Sequence, residues 1–462
     1  MDTTGTTRIV TGAGTRAVTR RAFASAAGRV APLAIVVAAG CALPGQGGSG
    51  GARPASGQSL PVPRTVEYWN QYGSGIAQVA MNMHLQRYQE QNPGVTVNTA
   101  VAPQVRNVPE KTISAIAAST PPDVAIFDRF LVATFAVRDT FVPLTDRAKA
   151  DGIGEKDYYP FAWNEARYKD KLYVLPLQTG IRALFVNRAH LREAGQAPDQ
   201  MPRTLADVDR LAVALTRPDG DTFSRVGFMP WIGNSHFYSW GWVFGGDFFD
   251  EKTNKCLANQ PKNVQAMEWL AGYARRLGDA RSRAFMNSFG QVQGGAFGGG
   301  LVSFLHTVQG QLDDIARTNP QLDYDVIPVP PAPGQTKPST WAGGFGYFIP
   351  HGTKQPDAAW HLIKYLGSDE GELTWTQTVL ALPVRTNVAK AKYFQDRAQD
   401  KRFKVFLDLL PEAHWRPVTP AAQVMWDELD TATDEVRKGT LLPKDALDGV
   451  TQRVIVELAK YG

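Results

Sequence analysis

Three stretches decide the fold: PPDVAIFDRF at 121–130, LYVLP at 172–176 and ALFV at 183–186. The first is a turn followed by a short apolar run that ends at Asp128 and Arg129. The other two are apolar runs of strand type, separated by a proline and by the polar segment Gln-Thr-Gly. A proline donates no hydrogen bond within a sheet, and a glycine in a strand pattern marks a break. We therefore expect extended chain that crosses between two bodies near 177–182, as a hinge would.

The chain before this crossing alternates between strand and helix patterns. Strand patterns at 62–69, 95–101 and 123–127 are separated by helical patterns at 77–91 and 110–119. This order is typical of a parallel sheet covered by helices, in which ligands bind beyond the carboxyl ends of the strands. The residues that this rule indicates follow the three strands in turn: Trp69, Asn70 and Tyr72, then Gln104, then Asp128 and Arg129.

Length and charge limit the possible classes of protein. A chain of 462 residues exceeds what one hydrophobic core supports, so two or three domains are expected. The apolar content of 43% and the charged content of 20% are ordinary for a soluble globular protein. Residues 1–40 hold five arginines and one aspartate, which accounts for +4 of the net charge of +5. The rest of the chain is nearly neutral, so no nucleic-acid partner is expected.

The amino end has the pattern of an export signal, which we assign to residues 1–40. Arg20 and Arg21 precede a weakly apolar run and resemble a twin-arginine signal. The run is shorter than the ~20 residues that span a bilayer, although an uncleaved membrane anchor remains the alternative.

The end of the predicted signal resembles a bacterial lipoprotein box. Ala-Ala-Gly-Cys would make Cys41 the lipidated residue, although Ala38 replaces the usual leucine. Residues 41–61 are rich in glycine, serine and proline, which predicts a flexible tether behind a membrane anchor. If Cys41 is lipidated, Cys256 has no disulfide partner, and we expect it to be a buried thiol.

Several segments, in their order along the chain, resemble the extracellular solute-binding proteins of ATP-driven sugar importers, the family that includes maltose-binding protein. No single segment is specific to this family, but the order of the segments along the chain is. The resemblance covers residues 62–462. The segments are FDRF at 127–130, YYPFAWNEARYKDKLYVLP at 158–176, FVNR at 185–188, Gly-Gly at 245–246, YDVIPVP at 324–330 and LALPVR at 380–385.

The resemblance implies an α/β chain with the two-lobed periplasmic-binding-protein fold of type II. Each lobe would be a mixed sheet flanked by helices, with the ligand cleft between the lobes. Lobe 1 would comprise residues 62–177 and 338–370, and lobe 2 residues 182–332 and 371–462. The chain would cross between the lobes near 177–182, 332–338 and 367–372.

Sugar sites combine polar side chains that bind hydroxyls with aromatic faces that stack on the C–H surfaces of the ring. The resemblance makes Asp128 and Arg129 a ligand-binding pair, for which the alternative is a surface ion pair. The other candidates have core packing or a salt bridge as the alternative: Trp69, Asn70, Tyr72, Gln178, Trp231, Trp242, Trp341, Gly343, Gly344 and Arg385.

Two departures from the maltose-binding pattern indicate a different sugar. Gly180 stands where that pattern has a ligand-contacting glutamate. His-Thr-Val at 306–308 stands where it has an aromatic platform.

The predicted function is a lipid-anchored receptor that captures a mono- or oligosaccharide by hinge closure and delivers it to an ABC transporter permease. We expect a monomer with no cofactor and no metal. The alternatives are a glycerol-phosphate ester, a polyol or a peptide as ligand, a chemosensory receptor subunit, and a secreted carbohydrate-active enzyme. HExxH and P-loop motifs are absent from the sequence. The acidic cluster of Asp247, Asp250 and Glu251 is more typical of a solvated loop or a calcium site than of catalysis.

Overall fold

The computed structural model describes residues 64–104, 108–197 and 200–461. The predicted signal and the whole predicted tether, which begins at Cys41, lie outside these ranges. The strands are β1 (Arg64–Asn70), β2 (Val95–Val101), β3 (Val124–Asp128), β4 (Arg167–Tyr168), β5 (Lys171–Leu172), β6 (Leu175–Pro176), β7 (Gly180–Asn187), β8 (Arg217–Asp219), β9 (Thr222–Arg225), β10 (Phe249–Asp250), β11 (Lys255–Cys256), β12 (Phe304–Val308), β13 (Tyr324–Ile327), β14 (Ala342–Gly343) and β15 (Phe345–Phe348).

The helices are α1 (Gly75–Gln91), α2 (Glu110–Ala117), α3 (Val132–Ala136), α4 (Thr145–Ala150), α5 (Pro160–Glu165), α6 (Arg188–Glu193), α7 (Leu205–Leu215), α8 (Phe237–Val243), α9 (Pro261–Leu277), α10 (Asp279–Met286), α11 (Gly295–Gly298), α12 (Gly310–Thr318), α13 (Pro356–Leu366), α14 (Asp369–Val379), α15 (Lys392–Arg397), α16 (Lys401–Leu409), α17 (Ala422–Lys438) and α18 (Pro443–Leu458).

The first lobe is built on a sheet of order β2-β1-β3-β15-β6. β1 pairs in parallel with both β2 and β3, which confirms the predicted parallel core of this sheet. β15 and β6 complete it in antiparallel pairings. Val66 and Phe127 are completely buried on these strands, because helices cover the sheet.

The second lobe is built around β7, which pairs antiparallel with β12, β13 and β14. β7 is buried along nearly its whole length, as its apolar sequence predicts. α17 and α18 pack against α9 on this lobe, and Met425, Leu429 and Val450 are completely buried there.

The sheets show where the chain passes from one lobe to the other. β6 belongs to the first sheet and β7 to the second, so the first passage lies between residues 176 and 180. β14 pairs with β7 and β15 with β3, so the second passage is at Gly344. This position is later than the predicted 332–338. The proline-rich segment there has the composition of a linker, but the chain stays with the second lobe until β14.

The third passage also differs from the predicted 367–372. Trp375 of α14 packs on Tyr72 and His84 of the first lobe, with ring centroids 5.1 and 6.1 Å apart. Phe406 of α16 instead contacts Phe185 of β7, at 6.0 Å between centroids. The chain therefore stays with the first lobe through α14 and reaches the second lobe by α16, so the predicted boundary at residue 371 is too early.

Candidate ligand-binding site

Three polar side chains with unpaired atoms lie at or just after the carboxyl ends of β1 and β2. Asn70 is 1% exposed; its Oδ1 accepts a hydrogen bond from the Tyr72 backbone N at 2.7 Å. Among the described residues, no hydrogen-bond partner reaches Asn70 Nδ2, the Tyr72 hydroxyl or Gln104 Nε2, although all three atoms are buried. We call Asn70, Tyr72 and Gln104 the first-sheet edge. A buried polar group without a partner costs about 1–3 kcal/mol, which a ligand hydroxyl would recover.

Aromatic rings flank this edge. The ring of Tyr72 lies 5.1 Å from that of Trp375, and burial raises the pKa of its hydroxyl to about 12. The Gln71 side chain lies near enough to oppose that rise, but it forms no hydrogen bond of normal geometry with the hydroxyl. Trp69 is half-buried, and the ammonium of Lys111 lies 4.6 Å from its ring centroid. The edge thus has both polar atoms and aromatic surface.

The end of β3 holds a different arrangement, a buried ion network of Asp128, Arg129, Glu165 and Arg416. The guanidinium of Arg416 binds both oxygens of Asp128, at 2.6 and 3.0 Å, and its Nε lies 3.0 Å from Glu165 Oε1. Arg129 Nη2 lies 3.4 Å from Glu165 Oε2. The two carboxylates raise the pKa of Arg416 despite its burial. Bidentate contacts of this kind are strong and geometrically specific.

Arg129 occupies a different environment from the one that the resemblance implies. It is 0% exposed, and its Nη1 donates to the carbonyls of Gln178 and Phe345 at 2.8 and 2.9 Å. Its guanidinium is therefore hydrogen-bonded to both the first and the second passage between the lobes, and it does not reach the surface. This burial excludes the surface ion pair as well. Asp128 retains 14% exposure of its side chain.

Two of the predicted site tryptophans, Trp242 and Trp341, belong to the core of the second lobe, although we predicted that Trp341 lies in lobe 1. Trp341 is 1% exposed and its Nε1 donates to Ser239 Oγ at 2.8 Å. Trp242 is 4% exposed and stacks on His414 with an interplanar angle of 7°. Both tryptophans therefore pack in the core, which was the alternative to ligand binding. Trp231 remains half-buried, and its Nε1 has no hydrogen-bond partner among the described residues.

The remaining predicted site residues, Gln178, Gly343, Gly344 and Arg385, contact other segments of the chain. A Cβ on Gly344 would lie 2.1 Å from the carbonyl oxygen of Gln178, and one on Gly343 2.8 Å from the Trp341 ring. The glycines thus permit contact between chain segments, whereas we predicted contact with ligand. Gln178 Oε1 accepts a hydrogen bond from Trp375 Nε1. Arg385 forms an ion pair with Asp369, which is its predicted salt-bridge alternative.

Trp426 and Arg416 are the residues that the sequence patterns did not indicate. Half-buried Trp426 lies 3.8 Å from the ring of His236 in the second lobe and 5.5 Å from that of Phe130 in the first. It lies next to Met425 in the buried stripe of α17, which begins at Ala422, so helical periodicity could have placed it near the lobe boundary. Arg416 contacts partners 251 and 288 residues away and has no local signal.

The cavities of the described residues do not coincide with the first-sheet edge. One of about 530 Å³ lies between the β4–β5 hairpin and the β10–β11 hairpin, and none of the predicted ligand-binding residues lines it. A smaller one of about 170 Å³ is lined by Trp231, His236, Asp430 and Arg437 among others. Size alone therefore does not identify the site, and the unpaired polar atoms are the better guide.

The described residues contain no group of three or more His, Cys, Asp or Glu side chains that could hold a metal ion. Within the acidic cluster, Asp250 stabilises its own loop, because it accepts hydrogen bonds from the backbone N of Lys252 and from the Thr253 hydroxyl. Cys256 is a buried free thiol, as we predicted, and burial raises its pKa. Every helix within residues 64–104, 108–197 and 200–461 is too short or too polar to cross a membrane.

Comparisons with known proteins agree with this architecture. A family model described as bacterial extracellular solute-binding protein matches residues 72–373. The maltotriose-binding protein of Pyrococcus abyssi is 22% identical over 405 residues, which cover 86% of this chain and 82% of that protein.

Two solved structures share the fold. A protein crystallised with mannobiose has a TM-score of 0.74 and 23% identity, and the match covers 85% of this chain and 100% of that one. The sugar-binding protein MalE from Xanthomonas citri has a TM-score of 0.71 and 23% identity, with 86% and 98% coverage. These likenesses confirm the two-lobed α/β fold.

Proposed function

Because the chain belongs to the bacterial extracellular solute-binding proteins, we propose that it is the receptor that captures a carbohydrate outside the cytoplasm and delivers it to an ABC transporter permease. Membership of the family makes it an extracytoplasmic solute-binding protein. The proteins named above are a maltotriose-binding protein, a protein with mannobiose bound and a sugar-binding protein, which supports a carbohydrate as the solute.

One observation carries the choice of a polyhydroxylated ligand. Asn70, Tyr72 and Gln104, which lie at or just after the carboxyl ends of two neighbouring parallel strands, each hold a buried polar atom that has no partner among the described residues. Half-buried Trp69 precedes Asn70 on the first of these strands. Amide and phenol groups exchange hydrogen bonds with sugar hydroxyls, and an aromatic face stacks on the ring. A ligand without hydroxyls would leave these groups unsatisfied, which is a strong source of selectivity.

The proposed mechanism is closure of the two lobes about the passages at 177–179 and Gly344. Ligand contacts on both lobes would favour the closed form, and a ligand that contacts one lobe alone would not shift the equilibrium. In small-angle scattering, the radius of gyration should fall when ligand saturates the protein. An unchanged radius would contradict closure.

We also propose that Cys41 carries a lipid anchor and that the protein acts as a monomer without catalytic activity. Mass spectrometry of the protein from a bacterial membrane should find the chain beginning at an acylated Cys41. A soluble product cleaved elsewhere, or turnover of an oligosaccharide by purified protein, would contradict these proposals.

A thermal-shift screen tests the carbohydrate assignment directly. The panel should contain neutral and acidic mono- and oligosaccharides, glycerol-phosphate esters, polyols and peptides. A ligand at 100 times its dissociation constant stabilises the folded state by about 2.7 kcal/mol, a shift that the screen detects easily. Stabilisation by a saccharide supports the proposal, whereas stabilisation by a peptide or a phosphate ester alone would refute it.

A further inference from the structure

Arg182 is a buried cation beside the first passage between the lobes. It is 7% exposed and lies on β7, two residues after Gly180 and therefore on the same face of the strand. Its guanidinium carbon lies 3.4 Å from the centroid of the Trp341 ring. Its Nη1 donates to the Gly180 carbonyl at 2.8 Å, so the side chain folds back over the position that has no side chain of its own.

The carboxylates near Arg182 are already engaged by other arginines. Asp128 and Glu165 both pair with Arg416, and Glu165 also lies beside Arg129. Among the described residues, Arg182 has no ion pair. Three buried arginines thus share two carboxylates, which leaves one positive charge uncompensated.

Other titratable groups near this cluster do not supply the missing charge. Burial raises the pKa of Glu372 to about 8, so its carboxyl is largely neutral at pH 7. Burial and the charge of Arg182 lower the pKa of His306 to about 3, which leaves a neutral imidazole. Burial and Arg416 lower the pKa of Arg182 itself to about 9, and it therefore still carries its charge at pH 7.

The guanidinium also has unused donors and lies near the surface. Nε and Nη2 both donate to Asn234 Oδ1, at 3.0 and 2.5 Å, so with the Gly180 contact three of the five N–H groups are used. Asn234 is an exposed residue, so the charge lies directly beneath a surface loop. Gln309 Oε1 and Ser339 Oγ are buried without partners among the described residues, on the same lobe as Arg182.

From this arrangement we infer that the saccharide carries a carboxylate, as a uronic acid residue does, and that Arg182 binds it. The inference rests on the proposed carbohydrate function and specifies the chemistry of its ligand. A buried charge is stable when it is paired, and a guanidinium fork fits a carboxylate with two parallel hydrogen bonds. A neutral sugar would close the lobes over an uncompensated cation, whereas a uronate would neutralise it.

Matched ligands test this inference on the unaltered protein. Calorimetry would compare trimers of galacturonate and of mannuronate with their methyl esters, which keep every hydroxyl, lose the charge and add one methyl group per residue. We expect the free acid of at least one trimer to bind at least about 30-fold more tightly than its ester, as a buried charge pair requires. Equal affinity, binding of neutral saccharides only, or preference for sulfated disaccharides would overturn it.

A variant tests whether Arg182 causes the preference for the free acid over the ester. Arg182→Gln should abolish the difference between acid and ester, whereas Arg192→Gln, which removes a cation from an exposed pair with Asp323, should preserve it. A retained preference in a folded Arg182→Gln protein would overturn the assignment. If the variant does not fold, the comparison of acid with ester decides alone. Neutral saccharide hits without uronate hits would refute only this inference, whereas failure of every carbohydrate would refute the proposed function.

Discussion

The ends of β1 and β3 lie side by side in one sheet, yet they hold their polar groups in opposite ways. At the end of β3, Asp128 and Arg129 lie in an ion network with Glu165 and Arg416, in which Arg129 Nε and Nη2 have no hydrogen-bond partner among the described residues but face the opposite charge of Glu165. At the end of β1, Asn70 and Tyr72 keep buried atoms that no described residue satisfies. The first arrangement joins segments of the two lobes, and the second has capacity left for a ligand. Resemblance to a family drew attention to the β3 end, whereas buried polar atoms that have neither a hydrogen-bond partner nor a counter-charge draw it to the β1 end.

The largest expected effect comes from breaking the buried ion network. Arg416→Met removes the cation that neutralises Asp128 and Glu165 and leaves two charges without their main partner. Removing one member of a buried pair typically costs about 3–5 kcal/mol. Urea denaturation should therefore show a loss of this size in the free energy of unfolding. A loss below about 1 kcal/mol would mean that water replaces Arg416 and that the network does not hold the lobes.

A second prediction concerns Glu372, a buried carboxyl outside that network. Its oxygens accept hydrogen bonds from the backbone N of Val384 and, at 3.2 Å, of Arg385, while burial raises its pKa from 4.5 to about 8. The folded protein therefore keeps a proton that the unfolded chain loses above pH 4.5. The free energy of unfolding therefore falls as pH rises from 4.5 to about 8, by at most about 1.4 kcal/mol per pH unit.

Glu372→Gln cannot release that proton, so the variant provides the reference. The difference in unfolding free energy, wild type minus variant, should fall by about 2 kcal/mol between about pH 5.5 and about pH 7.5. Taking the difference cancels the titration of histidines and of other carboxyls. A difference that stays constant, or rises with pH, would show that Glu372 ionises normally in the folded protein.

Local patterns predicted the elements well because the causes are local. β1, β2 and β3 follow from runs of apolar and β-branched residues, and the first passage follows from the break between Pro176 and Gly180. The second and third passages were misplaced, because composition shows where a linker is possible but not which sheet the next strand joins. β14 adds two residues to β7 before the chain leaves the lobe, and no sequence pattern marks so short a pairing.

The site was harder to predict because burial and pairing depend on distant residues. Trp242 and Trp341 differ little in local context from half-buried Trp231, yet they lie in the core. Asp128 has the sequence of a ligand-binding residue, but its partner Arg416 lies 288 positions away. Asn70 and Tyr72 were indicated correctly as positions at a strand end, but their unpaired atoms depend on the folded structure around them.

A third, smaller effect would test the β1 end. Tyr72→Phe removes a buried hydroxyl that has no partner in the free protein, so stability should stay constant or rise by up to about 1 kcal/mol. Affinity for the saccharide identified by the screen should fall about tenfold, because that hydroxyl would bind ligand. Denaturation and calorimetry measure the two quantities separately.

Tyr273→Phe is the matched control for Tyr72→Phe. The Tyr273 hydroxyl donates to Asp209 at 2.6 Å, and its loss leaves that carboxylate with fewer partners. This variant should lose about 1–2 kcal/mol of stability and keep its affinity. If both variants behave alike, hydrogen-bond satisfaction does not distinguish binding residues from structural ones.

The smallest effect is expected where an ion pair lies on the surface. Arg317 and Asp314 approach to 2.9 Å, as close as many contacts in the buried network, but their side chains are 72% and 57% exposed. Water screens such a pair, so Arg317→Met should change the free energy of unfolding by less than about 0.5 kcal/mol. Arg416→Met makes the same chemical change in the interior. A similar loss in both variants would mean that distance alone sets the strength of these pairs, and the contrast between the β3 end and ordinary surface charges would disappear. A several-fold difference would establish that burial gives the network its strength.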